Sequence, residues 1–453
     1  MDPPRRNTTE DPPALQNMSL EQCLEAALEN NRWRPASQLA VEAAEAQRKQ
    51  ALSSWWPTLS GRTSVVHMDE PPNFLFPARS FFLDIPMASL SLPITIPAMD
   101  IKLMDSTSLF GSLSLSFPVY TGGLRPAIIQ LAKSGVEAAK QEARRTDLQV
   151  VFDVKRMYYT NVLAQNLHKI GSDALARLEV TLRLTENLYK KGSGRVNKTD
   201  FLRNKMVVEG LRSLVMMLES NVQLAQAALV NTMGLVWNTP ITLAANEIPF
   251  EPLELSLNQL VAESYAFNPD WARLEAGLTA AGARVKEARS GYFPKMGLIG
   301  SLNYISNSYD KGMVTPQNKS SWAVGVGLDI PIFNGFLTPA RVQEAKARLK
   351  QMEQQQILLK EGLALQVKHI FLQVDRSQKQ QEASRAALDA ASQNRDLNVR
   401  AYQDELVETQ DVIEAQILES FMEAQYQKVL YDHAEARAHL DFVVGEEVVK
   451  LIR

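Results

Sequence analysis

One cysteine, Cys23, is all that the 453 residues carry, so no intramolecular disulfide framework can staple the fold. No run approaches ~18 consecutive apolar residues, which excludes an ordinary transmembrane helix. Neither charge sign is in excess: the net charge is −3, which argues against a nucleic-acid partner, since such proteins show a basic face. The five histidines (His67, His168, His369, His433, His439) have no metal-ligand spacing. There is no Gly-rich phosphate loop and no nucleophile–base constellation, and Met216-Met217 reads as helix core rather than a metal site. The chain is therefore expected to use no cofactor and no metal and to catalyse nothing. Met1-Asp2-Pro3-Pro4-Arg5-Arg6 has no apolar segment, so the sequence carries no export signal, and an exported protein would have had its signal removed or replaced. Leu20-Glu21-Gln22-Cys23 suggests a lipidated cysteine, but Gln22 is bulky, and Cys23 is read as a buried helix residue.

Two further absences organise the chain. No proline follows Pro339, and none falls between Pro126 and Pro240. In the second stretch Val342, Ala345, Leu349, Met352, Leu359 and Leu363 recur at steps of three and four, the seam of a coiled coil. From Pro339 to Tyr402 the sequence predicts roughly 95 Å of helix at ~1.5 Å per residue. A second helix is expected from near Asp411 to a glycine cap at Gly445.

The two stretches match each other. Phe117-Pro118-Val119-Tyr120-Thr121-Gly122 parallels Ile330-Pro331-Ile332-Phe333-Asn334-Gly335, and Val154-Lys155-Arg156-Met157-Tyr158 parallels Val367-Lys368-His369-Ile370-Phe371. Tyr189 parallels Tyr402, Gly234 parallels Gly445, Trp56-Pro57 parallels Phe293-Pro294 and Ser19-Leu20 parallels Ser256-Leu257. The chain is a tandem duplication whose unit is far longer than the ~20–50 residue period of solenoids. Each half opens with a capped helix, at Ser19 (stopping near Asn31) and at Ser256 (broken by Asn268-Pro269). A longer helix follows in each, over about 36–54 and to about Ser290.

After those helices the apolar period changes to two. Leu59 to Val65, Leu109 to Phe117, Met296 to Tyr304 and Trp322 to Ile330 read as four strands, each with one apolar face and one small or polar face. About 9–11 residues is what a tilted strand needs to cross a bilayer, and an apolar face opposite a small polar one is the pattern of a water-filled barrel. One such hairpin could equally rest on a soluble core; two matched hairpins, each leading into a very long helix, favour the barrel. Four strands cannot close around a pore, so other copies of the chain must supply the rest. The segment around Pro71 to Asp105 makes the first hairpin the longer one. Its prolines exclude a central strand, and it is read as a loop at the outer rim, although Leu90, Leu92, Ile94 and Ile96 alternate and leave a short edge strand open.

The expected division is a disordered or partner-draped segment over 1–17, outer helices 18–57, hairpin 58–118, long helices 119–235 and a linker 236–255. It continues with helices 256–294, hairpin 295–331, long helices 332–445 and a tail 446–453. The fold class is mainly α with a small β part.

In this order and spacing the chain resembles the TolC-like outer-membrane efflux proteins. The resemblance covers about 19–448 and rests on the duplicated helix–hairpin–long-helix plan, the two strand-to-helix motifs above, and Asp411-Val412-Ile413-Glu414-Ala415-Gln416 after the last turn. It implies a homotrimer with a twelve-stranded transmembrane β-barrel in outer-membrane lipid, continued by a long periplasmic α-helical barrel. It implies a passive exit duct that docks a periplasmic adaptor and an inner-membrane transporter. It also implies a closed periplasmic end, with an acidic constriction ring at Asp411 and Glu414 and a latch in which Tyr402 meets Asp200, preceded by Thr199. The arginine that reaches the next subunit in the family falls here on Val407, between Leu406 and Glu408; Arg195 in the first turn is a possible substitute. The residues themselves leave other readings open: Asp411 as a helix cap, Glu414 as a solvated side chain, and Tyr402 with Tyr189 as helix-end packing. The rival function is a soluble coiled-coil scaffold assembled through its hairpins.

Overall fold

The computed structural model describes residues 15–85, 90–192, 196–404 and 406–446. In chain order its strands and helices are β1 (Leu15–Met18), α1 (Leu20–Asn30), α2 (Trp33–Ser53), β2 (Thr58–His67), β3 (Asn73–Phe76), β4 (Arg79–Ile85), β5 (Leu90–Ile96), β6 (Met99–Lys102), β7 (Thr107–Tyr120), α3 (Leu124–Lys190) and α4 (Lys198–Thr232). The second half holds β8 (Ile241–Leu243), α5 (Leu257–Phe267), α6 (Pro269–Arg289), β9 (Lys295–Ser306), β10 (Ser320–Asp329), α7 (Leu337–Gln403) and α8 (Thr409–Val444).

The duplication is written in the helix lengths. α1 and α5 have 11 residues each, α2 and α6 have 21, and α3 and α7 have 67. The local signals repeat as well. Ser19 with Gln22 and Ser256 with Gln259 form capping boxes that satisfy the first amides of α1 and α5. α2 begins at Trp33, slightly earlier than expected, because Pro35 falls in the first turn, where no intrahelical amide partner is needed. Gly445 ends α8 in the left-handed conformation, at φ 89°.

Contacts divide the chain into two compact units. One comprises Glu45–Ser134 and Thr279–Gln351. It holds a four-stranded antiparallel sheet of order β10-β9-β7-β2. Its register lines up the apolar residues: Leu59 faces Leu115, which faces Gly300, which faces Val324, and Leu113 faces Leu302, which faces Trp322. On the opposite face Ser60, Ser114, Ser301 and Ala323 form one row, and Arg62, Ser112, Asn303 and Ser321 the next. The apolar face is uncovered; Val324 is 76% exposed. β2 and β10 are paired on one side only. Among the described residues no helix is long and apolar enough to cross a membrane.

The segment expected as an outer-rim loop is instead a paired ribbon. β3 pairs β6, and β4 pairs β5 with Phe82 opposite Pro93. The prolines that argued against a strand are accommodated. Pro77 and Pro97 fall between the two paired stretches, Pro93 sits opposite Phe82 in a two-stranded ribbon, both of whose strands are edges, and Pro86 lies outside the described residues. At the ribbon's base the Asp105 carboxylate accepts from the Tyr309 amide at 2.6 Å, and Met313 donates to the Leu103 carbonyl at 2.9 Å.

The other unit comprises Met1–Ala44, Gly135–Leu278 and Met352–Arg453. Two cores form there, the first drawn mainly from the first repeat and completed by Leu430 and Ala434 of α8, the second drawn from the second repeat. Cys23, Val154, Val162, Leu229 and Met233 are buried together, and so are Leu260, Val367, Ile370, Leu440 and Val444. Cys23 is fully buried in α1, and burial pushes its thiol up to about 11. One expectation is corrected: residues 15–17, read as part of a disordered or draped segment, lie in β1, which pairs in parallel with β8. Leu15 and Met18 pack against the first core, and the Asn17 amide donates to Thr242 Oγ1 at 3.1 Å. The rest of the expected segment, 1–14, lies outside the described residues.

Candidate functional site: the turn end of the long helices

The candidate site is built where α3 turns into α4 and α7 into α8. The first turn ends in a capping box. Asn197 accepts from the Asp200 amide at 3.0 Å, and Asp200 accepts from the Asn197 amide at 3.1 Å. The pair α3–α4 is then joined by a buried bond from Asn204 Nδ2 to Thr185 Oγ1 at 3.1 Å. Tyr189 stacks on Phe201 with centroids 5.8 Å apart. In the second turn the Tyr402 and Thr409 hydroxyls lie 3.1 Å apart, and the Leu406 amide donates to the Ala401 carbonyl at 2.8 Å.

Asp411 and Glu414 lie one turn apart on an exposed face of α8. Asp411 accepts from the Glu408 amide at 2.9 Å, so it caps the helix while remaining exposed. Glu414 accepts from Gln410 Nε2 at 2.6 Å, and Gln410 in turn bonds Arg203 of α4. Asp200, Arg203, Tyr402, Val407 and Glu414 line one cavity of about 720 Å³. The structure thus brings Tyr402 and Asp200 to the same cavity, but each hydrogen-bonds within its own turn. Thr199 and Asp411 are not among the lining residues. Arg195 lies outside the described residues.

The sequence reading missed Arg203, which bridges α4 to α8 through Gln410. No spacing rule could find it, because its partner sits 207 positions away. The sequence reading also missed a ladder of polar bonds along the α3–α8 contact: Lys155 to Asp441 at 3.1 Å, Thr160 to Tyr431 at 3.1 Å and Asn166 to Gln427 at 3.1 Å. Near the turns the apolar core thins to Leu178, Val208 and Ile413 with a few half-buried neighbours.

This arrangement can hold helices together and present carboxylates; its polar groups bond across turns and helix pairs. The fold is shared with the outer membrane protein VceC from Vibrio cholerae, on which the chain superposes with a TM-score of 0.74 at 17% identity, covering 94% of this chain and 96% of that one. The family is shown by sequence. The profile described as "Outer membrane efflux protein" matches residues 23–235 and 260–446, and the chain belongs to this family of the outer membrane. Protein CyaE of Bordetella pertussis is 26% identical over 245 residues, 53% of this chain and 50% of the relative. The probable efflux pump outer membrane protein TtgC of Pseudomonas putida is 25% identical over 337 residues, 72% of this chain and 62% of the relative. The chain thus spans between half and two thirds of the length of these curated relatives.

Proposed function

We propose that the chain is the passive exit duct of a tripartite efflux or type I secretion system. Three copies close a twelve-stranded barrel in outer-membrane lipid, and their long helices form the periplasmic duct. A periplasmic adaptor and an inner-membrane transporter drive export, and the duct itself performs no chemistry and needs no cofactor. On this reading 58–118 and 295–331 enter the membrane, and 119–235 and 332–445 form the duct wall.

The observation that carries this reading is the sheet. Its apolar face is continuous across four strands and uncovered, while its other face is mainly serine, asparagine and glycine, with Val66, Phe110, Ile299 and Ile305 interspersed. Both of its edges are open, and unpaired strand edges in lipid cost several kcal/mol per group, so they call for further copies. A soluble coiled-coil scaffold, the rival reading, would leave such a face in water.

The turn end is the gate of this duct. Threefold symmetry would place six carboxylates, from Asp411 and Glu414, around a narrow lumen that attracts cations. Tyr402, Asp200 and Thr199 form the latch region, with Tyr402 and Asp200 facing a shared cavity. Arg195 remains the candidate for a bond to the next subunit. The deciding experiment is detergent-solubilised mass together with conductance in a planar bilayer. A trimer that inserts and conducts is expected; a protein soluble without detergent that makes no channel would return the scaffold.

A further inference from the structure

β2 and β10 are the free edges of the main sheet. Among the four strands of that sheet the charged side chains are Arg62 on β2, Lys295 on β9 and Asp329 on β10. All three lie on the face opposite the apolar one, and Arg62 and Asp329 are exposed. Lys295 stands opposite Asp329 in the register. Neither the Arg62 nor the Asp329 side chain has an ion-pair or hydrogen-bond partner among the described residues.

The repeat shows how these two edges fit. Arg62 stands five residues beyond Pro57, and Ile299 stands five beyond Pro294, so the two are repeat mates. Ser116 precedes Phe117 and Asp329 precedes Ile330, so they are mates as well. The strand register obeys this correspondence. Thr58 pairs with Ser116 in the first hairpin, and their mates Lys295 and Asp329 pair in the second. Between the hairpins, Ser116 of β7 faces Ile299 of β9. One repeat further on, the same contact sets Asp329 of β10 opposite Arg62 of β2 in another copy of the chain. On the apolar face the same register sets Val326 opposite Val65. The only carboxylate of one edge strand thus meets the only guanidinium of the other, and the backbone register reaches this match without reference to charge.

We infer that the seam between copies pairs β10 with β2 in this register, and that an ion pair from Asp329 to Arg62 of the next copy selects it. This rests on the exit-duct reading above, which supplies the copies and leaves the register of their seam open. A slip of one residue would turn every side chain to the wrong face, so the apolar alternation already excludes it. A slip of two keeps every face, and alternation is blind to it. Such a slip sets Asp329 against Ser60 or Ser64 and leaves both charges unmatched. An exposed ion pair adds little to stability, but opposite charges directly across two strands attract, and the slipped registers lose that attraction. With Lys295 on its other side, the Asp329 carboxylate then lies between two cations.

The test is cross-linking of the full-length protein, with detergent-solubilised mass checking assembly of each variant. Arg62→Cys combined with Asp329→Cys is expected to give disulfide-linked dimers and trimers on a non-reducing gel after mild oxidation, because directly opposed Cα atoms lie ~4.5–5.5 Å apart, within disulfide reach. Arg62→Cys combined with Gly327→Cys reads the slipped register and is expected to link about tenfold less, since diagonal neighbours lie ~7–8 Å apart. Either single variant is expected to link nothing, because Cys23 is buried. If the cysteine pair fails to assemble, the swap of Arg62→Asp with Asp329→Arg reads the same contact. Each single change is expected to lower the trimer fraction, and the swap to restore it. Preferential linking through Gly327→Cys overturns the register. A trimer that neither cysteine pair links overturns the seam. A swap no better than its single changes overturns the ion pair. A wild type that stays monomeric and makes no channel overturns the duct reading itself, and the inference with it.

Discussion

Asn268 and Gly445 are fitted to each other across the ends of two helices. A β-carbon on Gly445 would stand 2.9 Å from the Asn268 Cα and 2.3 Å from the Phe267 carbonyl oxygen. The Asn268 amide donates to the Val443 carbonyl at 2.8 Å, while its Oδ1 accepts from the Asp270 and Trp271 amides and so caps α6. The first repeat does the same with Asn31, whose amide donates to the Thr232 carbonyl at 2.8 Å, and with Gly234, whose β-carbon would stand 2.4 Å from the Asn30 oxygen. One side chain thus caps a short helix and clips the end of a long one.

Gly445→Ala should therefore cost well over the ~1–2 kcal/mol of a left-handed alanine, because backbone blocks the new methyl as well. Asn268→Ala should cost about 1–3 kcal/mol, from the cap and a carbonyl left without its donor. Chemical unfolding of the solubilised protein would measure both, and a loss under ~0.5 kcal/mol in Gly445→Ala would contradict this account.

Val324→Lys places a charge on the uncovered apolar face, in the row shared by Leu59, Leu115 and Gly300. In a barrel strand near mid-membrane this should cost about 2–4 kcal/mol. Ala323→Lys, one residue along and on the Ser114 and Ser301 side, should cost much less. Equilibrium unfolding from lipid would show the alternation; equal effects at the two positions would mean that the face does not meet lipid.

Replacing Asp411 and Glu414 with Ala should weaken block of the channel by multivalent cations, and unchanged block would remove the acidic ring from the gate. Tyr402→Phe deletes the hydroxyl beside Thr409 and should raise conductance if that residue is a latch. Unchanged conductance with a small loss of stability would mark it as packing at the helix end.

His433 is buried; its Nε2 lies 2.7 Å from the Glu251 carbonyl, its Nδ1 lies 3.1 Å from Ser377 Oγ, and its ring packs on Phe250. Desolvation, aided by Arg437, holds its pKa below the ordinary histidine value of 6.5, against an opposing pull from Glu251. The unfolded chain therefore takes up the proton first, so stability present above pH ~6.5 should fall as the pH drops below it. Melting temperatures from pH 8 to pH 5 should fall more steeply in wild type than in His433→Gln. Parallel curves would exclude this histidine as a cause.

The sequence made legible what repeats or alternates. Ser19 with Gln22 announced α1, Asn268-Pro269 announced the break between α5 and α6, and the period-two stretches located all four strands of the main sheet. It did not reveal the pairing of Leu15–Met18 with Ile241–Leu243, because such a short parallel ladder leaves no pattern of its own. The ribbon was obscured by proline, whose penalty applies to ladder amides and not to the free edges of two strands. At the candidate site the residue types were visible but their partners were not. Glu419 showed only as a charge interrupting an apolar seam, and its partners Arg177 and Arg395 come from two other helices. The Tyr402 partner is likewise a matter of turn geometry, which picked Thr409.

Cys23 has a consequence for experiment. The only thiol in the chain is fully buried, and its pKa of about 11 leaves almost none of it as reactive thiolate near neutral pH. The native surface is therefore chemically silent toward maleimides and methanethiosulfonates. A cysteine introduced anywhere along the long helices would carry a fluorophore or spin label without first deleting a native residue, so distances between labelled helices can be followed in otherwise unmodified protein.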